Sequence, residues 1–372
     1  MKIAPFIKTI ASFNAEPRTQ NSELIQHLLI HTGQHYDDRM SRTFFEELGI
    51  PDADINLGVG SGTHAEQLGN TMIAFEKVLQ KEKPDWVVVV GDVNATLAGS
   101  VTAKKEHFKC AHIEAGLRSG DMKMPEEINR LVTDRLSDLL FTPDHISGDN
   151  LRKEGVEESR IRFVGNIMID TLEANRHKAE RLTIADIIHK NLLFERSFAV
   201  PENDNFAVVT LHRPSNVDYK EIFEPIARFL KDIVSKDMPV IWPIHPRAMK
   251  QLELFGLWEE LKTAARMIML YPLGYHEMLR LNMGARVMLT DSGGLQEECT
   301  ILGTPCLTLR WNTERPVTLR EHGGASVLVG NNIQRLKEEY INTRNMKRNP
   351  VRPELWDGKT AERIVKALVD NN

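Results

Sequence analysis

The sequence predicts an α/β protein built from two doubly wound, Rossmann-like domains that face a cleft. Short apolar runs alternate with helical patterns along both halves of the chain, which is typical of parallel sheets covered by helices on both faces. Several runs are almost continuous in valine, isoleucine and leucine, as in "DWVVVVGD", because strands of parallel sheets are buried on both sides. The length of 372 residues exceeds what one hydrophobic core usually holds and suits two domains.

The predicted strands fall into two series, separated by a charged, weakly patterned stretch that ends near residue 204. The first series comprises residues 27–32, 85–92, 110–116, 139–143 and 161–166, and the second comprises residues 206–213, 239–246, 266–272, 285–291, 305–310 and 325–330. Between the first two strands, Thr63 and Glu66 predict a capping box at the start of a helix. We interpret the charged stretch as the passage between the domains.

The alternation also predicts domain boundaries. We expect an N-terminal domain over residues 1–167 and a C-terminal domain over residues 168–357. The tail, "LWDGKTAERIVKALVD", has helical spacing, and we expect a last helix over residues 358–372 that returns to the first domain.

Composition and charge exclude several classes of protein. The net charge of −5 provides no overall basic surface for nucleic acid or an anionic membrane. No window of 18 apolar residues predicts a transmembrane helix. Cys110, Cys299 and Cys306 are odd in number and lack zinc-type spacing, which favours a reducing cytosol. The histidines of "HLLIHTGQH" fall on a predicted strand and its end, so we expect no metal site.

Polar residues follow many of the predicted strands. Ligands of doubly wound sheets bind beyond the carboxyl ends of the strands. The residues at or shortly after these ends are Asp92, Glu114, His212, Arg213, His245, Asp291, Ser292, Arg310 and Arg315. A single polar residue at such a position is usually a cap or turn residue. A series from both halves predicts an acidic wall on the first domain and a basic wall on the second.

A third carboxylate of the first half accompanies Asp92 and Glu114. In "MPEEINRLVTDRLSD", Pro125 stands at a helix start, with Glu126 and Glu127 in the first turn. These two glutamates could serve only to compensate the helix dipole. Alternatively, Asp92, Glu114 and Glu126 form one group, in which mutual repulsion raises some pKa values and suits proton transfer. The residues alone leave both interpretations open.

The stretch "TDSGGLQEECTILGTP", residues 290–305, suits an anion at the start of a helix. Ser292, Gly293 and Gly294 offer a hydroxyl and backbone N–H groups to a diphosphate, and glycine permits a close approach. Glu298, one turn into the helix, could accept hydrogen bonds from the two hydroxyls of a ribose. The alternative is that Glu298 and its neighbour Glu297 only cap their own helix.

Several motifs together resemble one enzyme family. "GDVNATLAG", "HIEAGLRSGD", "PEEINR", "TDSGGLQEE" and "NTERPVT" resemble the non-hydrolysing UDP-N-acetylglucosamine 2-epimerases. The resemblance runs in order along nearly the whole chain. It implies the two-domain GT-B-like fold, with UDP bound in the C-terminal domain. The implied activity is interconversion of UDP-GlcNAc and UDP-ManNAc by elimination of UDP, which leaves a 2-acetamidoglucal, and its re-addition to the opposite face.

The resemblance also implies residue roles and partners. The implied catalytic residues are Asp92, Glu114, Glu126 and His212, and the implied UDP-binding residues are Lys2, Arg213, His245, Ser292, Gly293, Gly294, Glu298 and Arg315. The substrate would be a UDP-sugar, with no cofactor, metal, nucleic acid or membrane. A cytoplasmic homodimer that serves polysaccharide biosynthesis is the expected form.

The chain departs from the family at two places. Its start, "MKIAPFIKTI", resembles the family's I-K-x-A-P segment, which makes Lys2 rather than Lys8 the match for the family lysine. A strand and an arginine-bearing loop precede that segment in the family, so we expect a first domain without that normally central strand. Bacterial members also have a second, activating UDP-GlcNAc site. Gln34 and His35 match part of it but Asp37 does not, so we do not expect allosteric activation.

Four functions compete at this stage. "LHRPSNVD" and "LWDGKTAERI" resemble a branch that acts on UDP-2,3-diacetamido-glucuronate, and the shared motifs do not choose between substrates. A hydrolysing 2-epimerase would share the elimination step but release free ManNAc. A glycosyltransferase of the same fold would need an acceptor, and three clustered carboxylates exceed what that chemistry requires. An inactive nucleotide-sugar-binding copy would follow from loss of the first strand.

Overall fold

The chain forms two compact units of parallel β-sheet and helix. The structure, a computed structural model, describes residues 1–16, 24–33, 45–195 and 199–372. The first unit comprises Met1–Ala174 and Pro353–Asn372, and the second comprises Asn175–Arg352. None of the helices within these described ranges is both long enough and apolar enough to cross a membrane.

The first unit contains two parallel sheets. Its strands are β1 (Ile30–His31), β2 (Ile55–Asn56), β3 (Trp86–Val90), β4 (Lys109–Ile113), β5 (Leu139–Thr142) and β6 (Ile161–Phe163). Strand β1 pairs with β2, whereas β3 to β6 form a separate sheet in chain order with β3 at one edge. Val90 lies opposite Ile113, so strands β3 and β4 end side by side. Each strand predicted for this half is present, and β2 was not predicted.

Helices flank the sheets of the first unit. They are α1 (Ile3–Ala15), α2 (His64–Glu82), α3 (Asn94–Lys105), α4 (Pro125–Leu136), α5 (His145–Lys153), α6 (Ile167–Glu180) and α15 (Thr360–Asp370), with a 3-10 turn at Glu158–Arg160. The predicted capping box is present, because the Thr63 hydroxyl accepts from the backbone N–H of Glu66 and Glu66 accepts from that of Thr63. Helix α4 begins with Pro125, as its fixed φ and missing N–H favour.

The C-terminal helix α15 belongs to the core of the first unit. Ile364 and Val365 of α15 pack in one apolar cluster with Phe6 and Ile10 of α1 and with Ile113 of β4. Helix α15 therefore packs against the same sheet whose strand ends carry the predicted acidic residues. The charge-rich exposed face of this helix explains why its sequence pattern shows only a narrow apolar stripe.

The stretch predicted as a passage between domains is helical. Helix α6 runs through it, followed by α7 (Ile184–Asn191), whose cap Thr183 accepts from the backbone N–H of Asp186. Ile184, Ile187 and Ile188 are buried in the second unit. Most of the charged residues in this stretch lie on exposed helix faces. The high charge content therefore hides the amphipathic pattern, which is defined by the three buried isoleucines.

The second unit contains one parallel sheet of the doubly wound type. Its strands are β7 (Ala207–Thr210), β8 (Val240–Pro243), β9 (Met267–Leu270), β10 (Val287–Thr290), β11 (Cys306–Thr308) and β12 (Ser326–Leu328). They lie in the order β12-β11-β10-β7-β8-β9, so the order reverses between β7 and β10. Thr210 pairs with Thr290 at the carboxyl ends of these two strands. Ligands of such sheets bind at this reversal.

Helices cover the sheet of the second unit. They are α7, α8 (Pro214–Val217), α9 (Lys220–Phe229), α10 (Pro246–Leu254), α11 (Trp258–Thr263), α12 (Tyr275–Gly284), α13 (Gly293–Leu302) and α14 (Ile333–Thr343). A π-helical turn (Leu230–Val234) and a short turn (Ser235–Asp237) continue α9, and 3-10 turns occur at Pro316–Thr318 and Arg320–His322. All residues of β8, β9 and β10 are buried, which explains their continuous apolar sequence.

Candidate active site

Asp92 and Glu114 lie on neighbouring strand ends in the first unit. The backbone N–H of Gly91 donates to the carbonyl of Ile113 at 3.0 Å, which joins the two strand ends. Glu114 has a φ of 72°, in the left-handed region that residues other than glycine rarely adopt, and is 4% exposed. Such backbone strain is common at functional sites. The structure therefore brings two of the predicted carboxylates to one edge of the sheet.

Arg130 connects Asp92 to helix α4. Its guanidinium donates from Nη1 to Oδ2 of Asp92, and from Nη2 to Oε2 of Glu127 at 2.6 Å. Asn129 adds a hydrogen bond of 2.9 Å from Nδ2 to the backbone carbonyl of Asp92. The side chain of Asp92 is 24% exposed, whereas that of Arg130 is 1% exposed. One oxygen of Asp92 is thus held from inside the fold while part of the carboxylate stays accessible.

The two adjacent glutamates of α4 have different surroundings. Glu127 accepts hydrogen bonds from the backbone N–H groups of Ser119 and Gly120 at 3.0 and 2.9 Å. Burial by itself would raise the pKa of Glu127, but these N–H groups and Arg130 bring it below its usual value. Glu126 is half-buried in the same first turn and takes part in none of these bonds. The structure therefore separates a glutamate that supports the loop from one that can meet a ligand.

Lys2 lies against Glu114. Its Nζ is 2.5 Å from Oε2 of Glu114, whose side chain is 3% exposed. A Cβ at Gly91 would come within 2.9 Å of Nζ of Lys2, so the glycine leaves room for this ion pair. Lys8 is exposed and lies beside Gly49 instead. The lysine predicted to bind UDP thus contacts a predicted catalytic carboxylate within the first unit.

In the second unit, Asp291 gathers the residues at the sheet reversal. Its buried carboxylate accepts from the backbone N–H groups of His212 and Arg213 at 3.0 and 2.9 Å, and from Nδ2 of Asn216 at 3.1 Å. Nδ1 of His212 lies 2.8 Å from Oδ1 of Asp291. Burial would raise the pKa of Asp291, but the hydrogen bonds and charge of His212 lower it overall. Asp291 is therefore an ionised acceptor that orients His212.

His245 lies beside His212. The two rings have centroids 5.7 Å apart, and Nδ1 of His245 accepts from the backbone N–H of Arg247 at 3.1 Å. Burial, followed by the repulsion of His212, lowers the pKa of His245. A lowered pKa favours the neutral ring, which offers hydrogen bonds but no positive charge to an anion.

Arg315 lies at the start of helix α13, next to the predicted diphosphate turn. A Cβ on Gly293 would be 2.9 Å from Nη1 of Arg315. Arg315 donates from Nε to Glu297 at 2.7 Å and from Nη1 to Glu314. Glu314 also accepts a hydrogen bond from Arg310 at 2.5 Å. Burial by itself would raise the pKa of Glu314, but Arg315 and Arg310 hold that pKa far below its usual range. Glu297 thus positions an arginine.

Ser292, Gly293 and Gly294 form the turn that opens α13. Ser292 is the residue before the helix, and its side chain makes no capping bond. The hydroxyl and the first backbone N–H groups of the helix are therefore open to an anion, as helix starts commonly are. The structure places this turn directly after Asp291, so His212, Arg213, His245 and Arg315 surround one position of the second unit.

Glu298 is buried within the second unit. It is 2% exposed, and burial raises its pKa to about 7 although the neighbouring Tyr275 and Asn282 side chains oppose that change. The predicted ribose acceptor therefore lies on the covered face of α13, one helical turn after the residues assigned to the diphosphate. Its contact with a ribose stays a prediction.

Two predictions concern features beyond this group. Gln34, His35 and Asp37, the residues compared with a second nucleotide site, lie outside the described residues. Within the described parts of the chain, no group of three or more histidine, cysteine, aspartate or glutamate side chains is arranged to hold a metal ion.

Sequence reasoning missed the residues that hold the predicted ones in place. Asp291 and Arg310 appeared only as polar strand ends, and Arg130 and Asp134 had no assigned role. One signal was present in the sequence. Glu127, Arg130 and Asp134 recur at helical spacing on α4, and all three are buried. A charged stripe on the covered face of a helix indicates buried ion pairs.

The fold and this group of residues define a class of protein. A doubly wound unit with an open helix start, arginines and a histidine–aspartate pair at the strand reversal is typical of nucleotide-binding α/β enzymes. A family model described as UDP-N-acetylglucosamine 2-epimerase matches residues 18–369. The chain belongs to this family of epimerases, which confirms the predicted family.

Relatives with the same description cover nearly the whole chain. A UDP-N-acetylglucosamine 2-epimerase of Methanocaldococcus jannaschii is 44% identical over 371 residues, covering 99% of this chain and 95% of the relative. The structure of the M. jannaschii UDP-GlcNAc 2-epimerase in complex with UDP-GlcNAc and UDP superposes with a TM-score of 0.85 at 42% identity, covering 99% and 96% of the two chains. This likeness confirms the α/β, GT-B-like fold class.

One similar protein has a different substrate in its name. A UDP-2,3-diacetamido-2,3-dideoxy-D-glucuronate 2-epimerase of Pseudomonas aeruginosa is 41% identical over 312 residues, covering 83% of this chain and 81% of the relative. Relatives at comparable identity to this chain are thus named for two different sugar substrates.

Proposed function

We propose that this chain is a non-hydrolysing UDP-N-acetylglucosamine 2-epimerase that interconverts UDP-GlcNAc and UDP-ManNAc. The names of its relatives support this substrate. The observation that carries the proposal is the gathering of His212, Arg213 and Arg315 around Asp291 and the open start of α13. That arrangement suits a diphosphate, which is the leaving group of the proposed reaction.

The reaction consists of an elimination and its reversal. A base takes the proton from C2, the C1–O bond breaks with its electron pair going to the β-phosphate oxygen, and a C1–C2 double bond forms. UDP then adds to C1 again while an acid returns a proton to the opposite face of C2. The C2 proton is weakly acidic, so departure of UDP has to be assisted early by donors already in place.

The first unit would supply the proton transfers. Asp92, Glu114 and Glu126 are the proposed acid–base residues at C2 and the sugar hydroxyls. Asp92 is accessible while Arg130 holds one of its oxygens, and Glu126 stands free of the bonds that occupy Glu127. Lys2 is the ion-pair partner of Glu114, with its Nζ 2.5 Å from Oε2.

The second unit would hold UDP. We assign the diphosphate to Arg213, His245, Arg315 and the turn Ser292–Gly294, and we assign the ribose to Glu298. His212 would donate to the departing β-phosphate oxygen from Nε2, because Nδ1 faces Asp291. The arginines are fully charged throughout, and preorganised charge of this kind is worth more than charge recruited from solvent.

Incubation of the protein with UDP-GlcNAc in deuterated water tests the proposal. Elimination and re-addition require deuterium at C2 in both UDP-GlcNAc and UDP-ManNAc, which NMR detects. UDP-ManNAc as product supports the proposal, and free ManNAc with UDP indicates a hydrolysing enzyme. Absence of deuterium at C2 in any converted product contradicts the elimination route.

A second candidate substrate is UDP-2,3-diacetamido-glucuronate, favoured by the P. aeruginosa relative. The same proton transfer at C2 would apply, because both substrates carry a 2-acetamido group. Parallel assays with the two sugars decide between them, and the preferred substrate is the one with the larger kcat/KM.

The proposed setting is a cytoplasmic homodimer that supplies polysaccharide biosynthesis. The family resemblance supports the homodimer and the pathway. Cys110, Cys299 and Cys306 are buried free thiols, which suits a reducing compartment. Analytical ultracentrifugation of the purified protein tests the dimer.

A further inference from the structure

A buried histidine lies between the predicted carboxylates of the first unit. His112 on strand β4 precedes Glu114 by two residues and is fully buried. Its Nδ1 is 2.6 Å from Oδ1 of Asp134 on helix α4, and its Nε2 is 2.8 Å from the backbone carbonyl of Gly91. Both ring nitrogens therefore face an oxygen acceptor within hydrogen-bond distance.

These two contacts determine the protonation of the ring. A carbonyl oxygen cannot donate, and an ionised carboxylate can only accept. A neutral imidazole has one donor, so it would place a lone pair against one of the two acceptors. The imidazolium form, in which both nitrogens donate, satisfies both oxygens at once.

Asp134 has the surroundings of an ionised carboxylate. Its Oδ2 accepts from the backbone N–H of Gly116 at 3.0 Å and from Nη1 of Arg118 at 2.7 Å. Burial would raise the pKa of Asp134, but His112 and then Arg118 bring it below its usual value. Arg118 also contacts Glu154, at 2.7 Å. A negative Asp134 between His112 and Arg118 stabilises the imidazolium.

The contacts of this pair reach each segment that carries a predicted catalytic carboxylate. Gly91 immediately precedes Asp92, and Gly116 follows Glu114 by two residues. Asp134 lies on α4, whose first turn contains Glu126. The His112–Asp134 pair therefore connects the ends of strands β3 and β4 with helix α4.

We propose that His112, held as an imidazolium by Asp134, is a positioning residue that sets Asp92, Glu114 and helix α4 relative to one another for proton transfer at C2. This inference rests on the proposed function of those carboxylates. A displacement of about 1 Å in a reacting group can lower a rate by about 10²-fold, which is why a fixed frame behind the carboxylates matters.

The first measurement is the protonation state of His112 in the unmodified protein. Selective ¹⁵N labelling of histidine rings, with the His112 signal assigned by its absence from His112→Gln, reports both ring nitrogens by NMR. We expect both ring nitrogens to carry a proton at neutral pH, because each faces an oxygen acceptor. A ring with a single proton at neutral pH would overturn the proposal.

The second measurement compares variants. His112→Gln retains one amide donor and removes the charge, and Asp134→Asn removes the partner's charge with little change in shape. We expect kcat for C2 exchange to fall by about 10²-fold, while UDP affinity by calorimetry stays within about twofold. Asp170→Asn is the matched control. Asp170 is also buried in the first unit and accepts from the backbone of Thr360 and Ala361, away from the three carboxylates.

The outcomes separate positioning from stability. If His112→Gln and Asp170→Asn lose similar thermal stability and similar activity, His112 has only a structural role. If His112→Gln fails to fold, Asp134→Asn provides the same comparison, and the NMR measurement decides the protonation state in either case.

A crystal structure of His112→Gln separates this inference from the proposed function. With the first-unit sheets superposed, we expect Asp92 or Glu114 to move by about 1 Å. If the parent catalyses no C2 exchange but this movement and the doubly protonated ring are observed, the proposed function falls while the positioning of the carboxylates stands. If the parent is active and the carboxylates do not move, the inference falls and the function stands.

Discussion

Nδ1 of His212 lies 2.8 Å from Oδ1 of Asp291, a fully buried carboxylate at the end of strand β10. Because Asp291 can only accept, His212 carries its proton on Nδ1 in the neutral form and leaves Nε2 for a ligand. Asp291 also accepts from the backbone of His212 and Arg213, so one side chain sets both the loop and the ring. This relationship makes Asp291 as important to the proposed chemistry as the histidine.

Replacement of Asp291 by asparagine should therefore disable His212. An amide at this position can donate to Nδ1, which places the proton on the wrong nitrogen. We expect turnover to fall by about 10²–10⁴-fold, the scale seen when a histidine loses its orienting carboxylate. Steady-state assays of C2 exchange provide the measurement. Asn216→Ala is the control, since it removes one donor to Asp291 without changing the histidine, and equal losses in the two variants would contradict the assignment.

Replacement of Arg315 by alanine should weaken UDP binding. Arg315 lies against Gly293 at the open start of α13, where we place the diphosphate. We expect a loss of about 1.5–3 kcal/mol, the usual size of a charge-assisted hydrogen bond. Calorimetry with UDP measures it. Arg320→Ala, which removes a half-buried arginine bonded to Thr343, should leave UDP affinity unchanged. Equal UDP affinity in Arg315→Ala and the parent would refute the diphosphate assignment.

Glu126 and Glu127 are adjacent but should respond differently to the same change. Glu126→Gln should lower turnover by about 10²–10⁴-fold and leave stability nearly unchanged, because the side chain is half-buried and takes no part in the bonds that hold Glu127. Glu127→Gln should instead lower the free energy of unfolding by about 1.5–3 kcal/mol, because Arg130 loses one of its two carboxylate partners and keeps only Asp92. Urea unfolding and C2 exchange measure the two effects.

Asp92→Asn and Glu114→Gln belong with Glu126→Gln in this comparison. Each should cut turnover by roughly 10²–10⁴-fold while UDP affinity hardly changes, because UDP is assigned to the second unit. Parental exchange rates in all three amide variants would show that these carboxylates are structural.

The buried carboxyl of Glu298 should make stability depend on pH. Burial raises its pKa from 4.5 to about 7, so between these values the folded protein holds a proton that the unfolded chain releases. The contribution of Glu298 to the free energy of unfolding is therefore fully present at low pH and declines as the pH rises from about 4.5 to about 7. We expect Glu298→Gln, which cannot titrate, to gain stability relative to the parent by about 3 kcal/mol between pH 5 and 8. Guanidinium unfolding at both pH values measures the difference, and a constant difference would contradict the expected titration.

The strands of this protein can be predicted from the sequence because of how parallel strands are buried. Buried parallel strands require apolar residues on both faces, so β8, β9 and β10 each read as an uninterrupted apolar run. Residues that follow predicted strands, such as Asp92, His212 and Asp291, must then lie at the carboxyl ends of strands. Motifs that resemble a known family supplied the roles of those residues, and the comparisons confirm the family.

The partners of these residues were decided by tertiary structure. The sequence presents Glu126 and Glu127 as equivalent, and only the packing of Arg130 against Asp92 and Glu127 separates them. His112 and Asp134 are 22 residues apart in the chain and meet because α4 packs beside β4. Local propensity indicates whether a segment forms a helix or a strand. Ion pairs between segments depend instead on how those helices and strands pack against one another.

Glu298 shows the same limit in the predicted UDP site. Its position one turn into a helix suggested an acceptor for a ribose, and the structure shows that α13 turns this side chain inward towards Tyr275 and Asn282. A helix start determines which backbone N–H groups are open, and this much the sequence "DSGG" determined by itself. Which face of the helix is covered depends on the neighbouring elements. The burial of Glu298, the hydrogen bond between Arg315 and Glu297 and the contacts of His112 therefore follow only from the assembled fold.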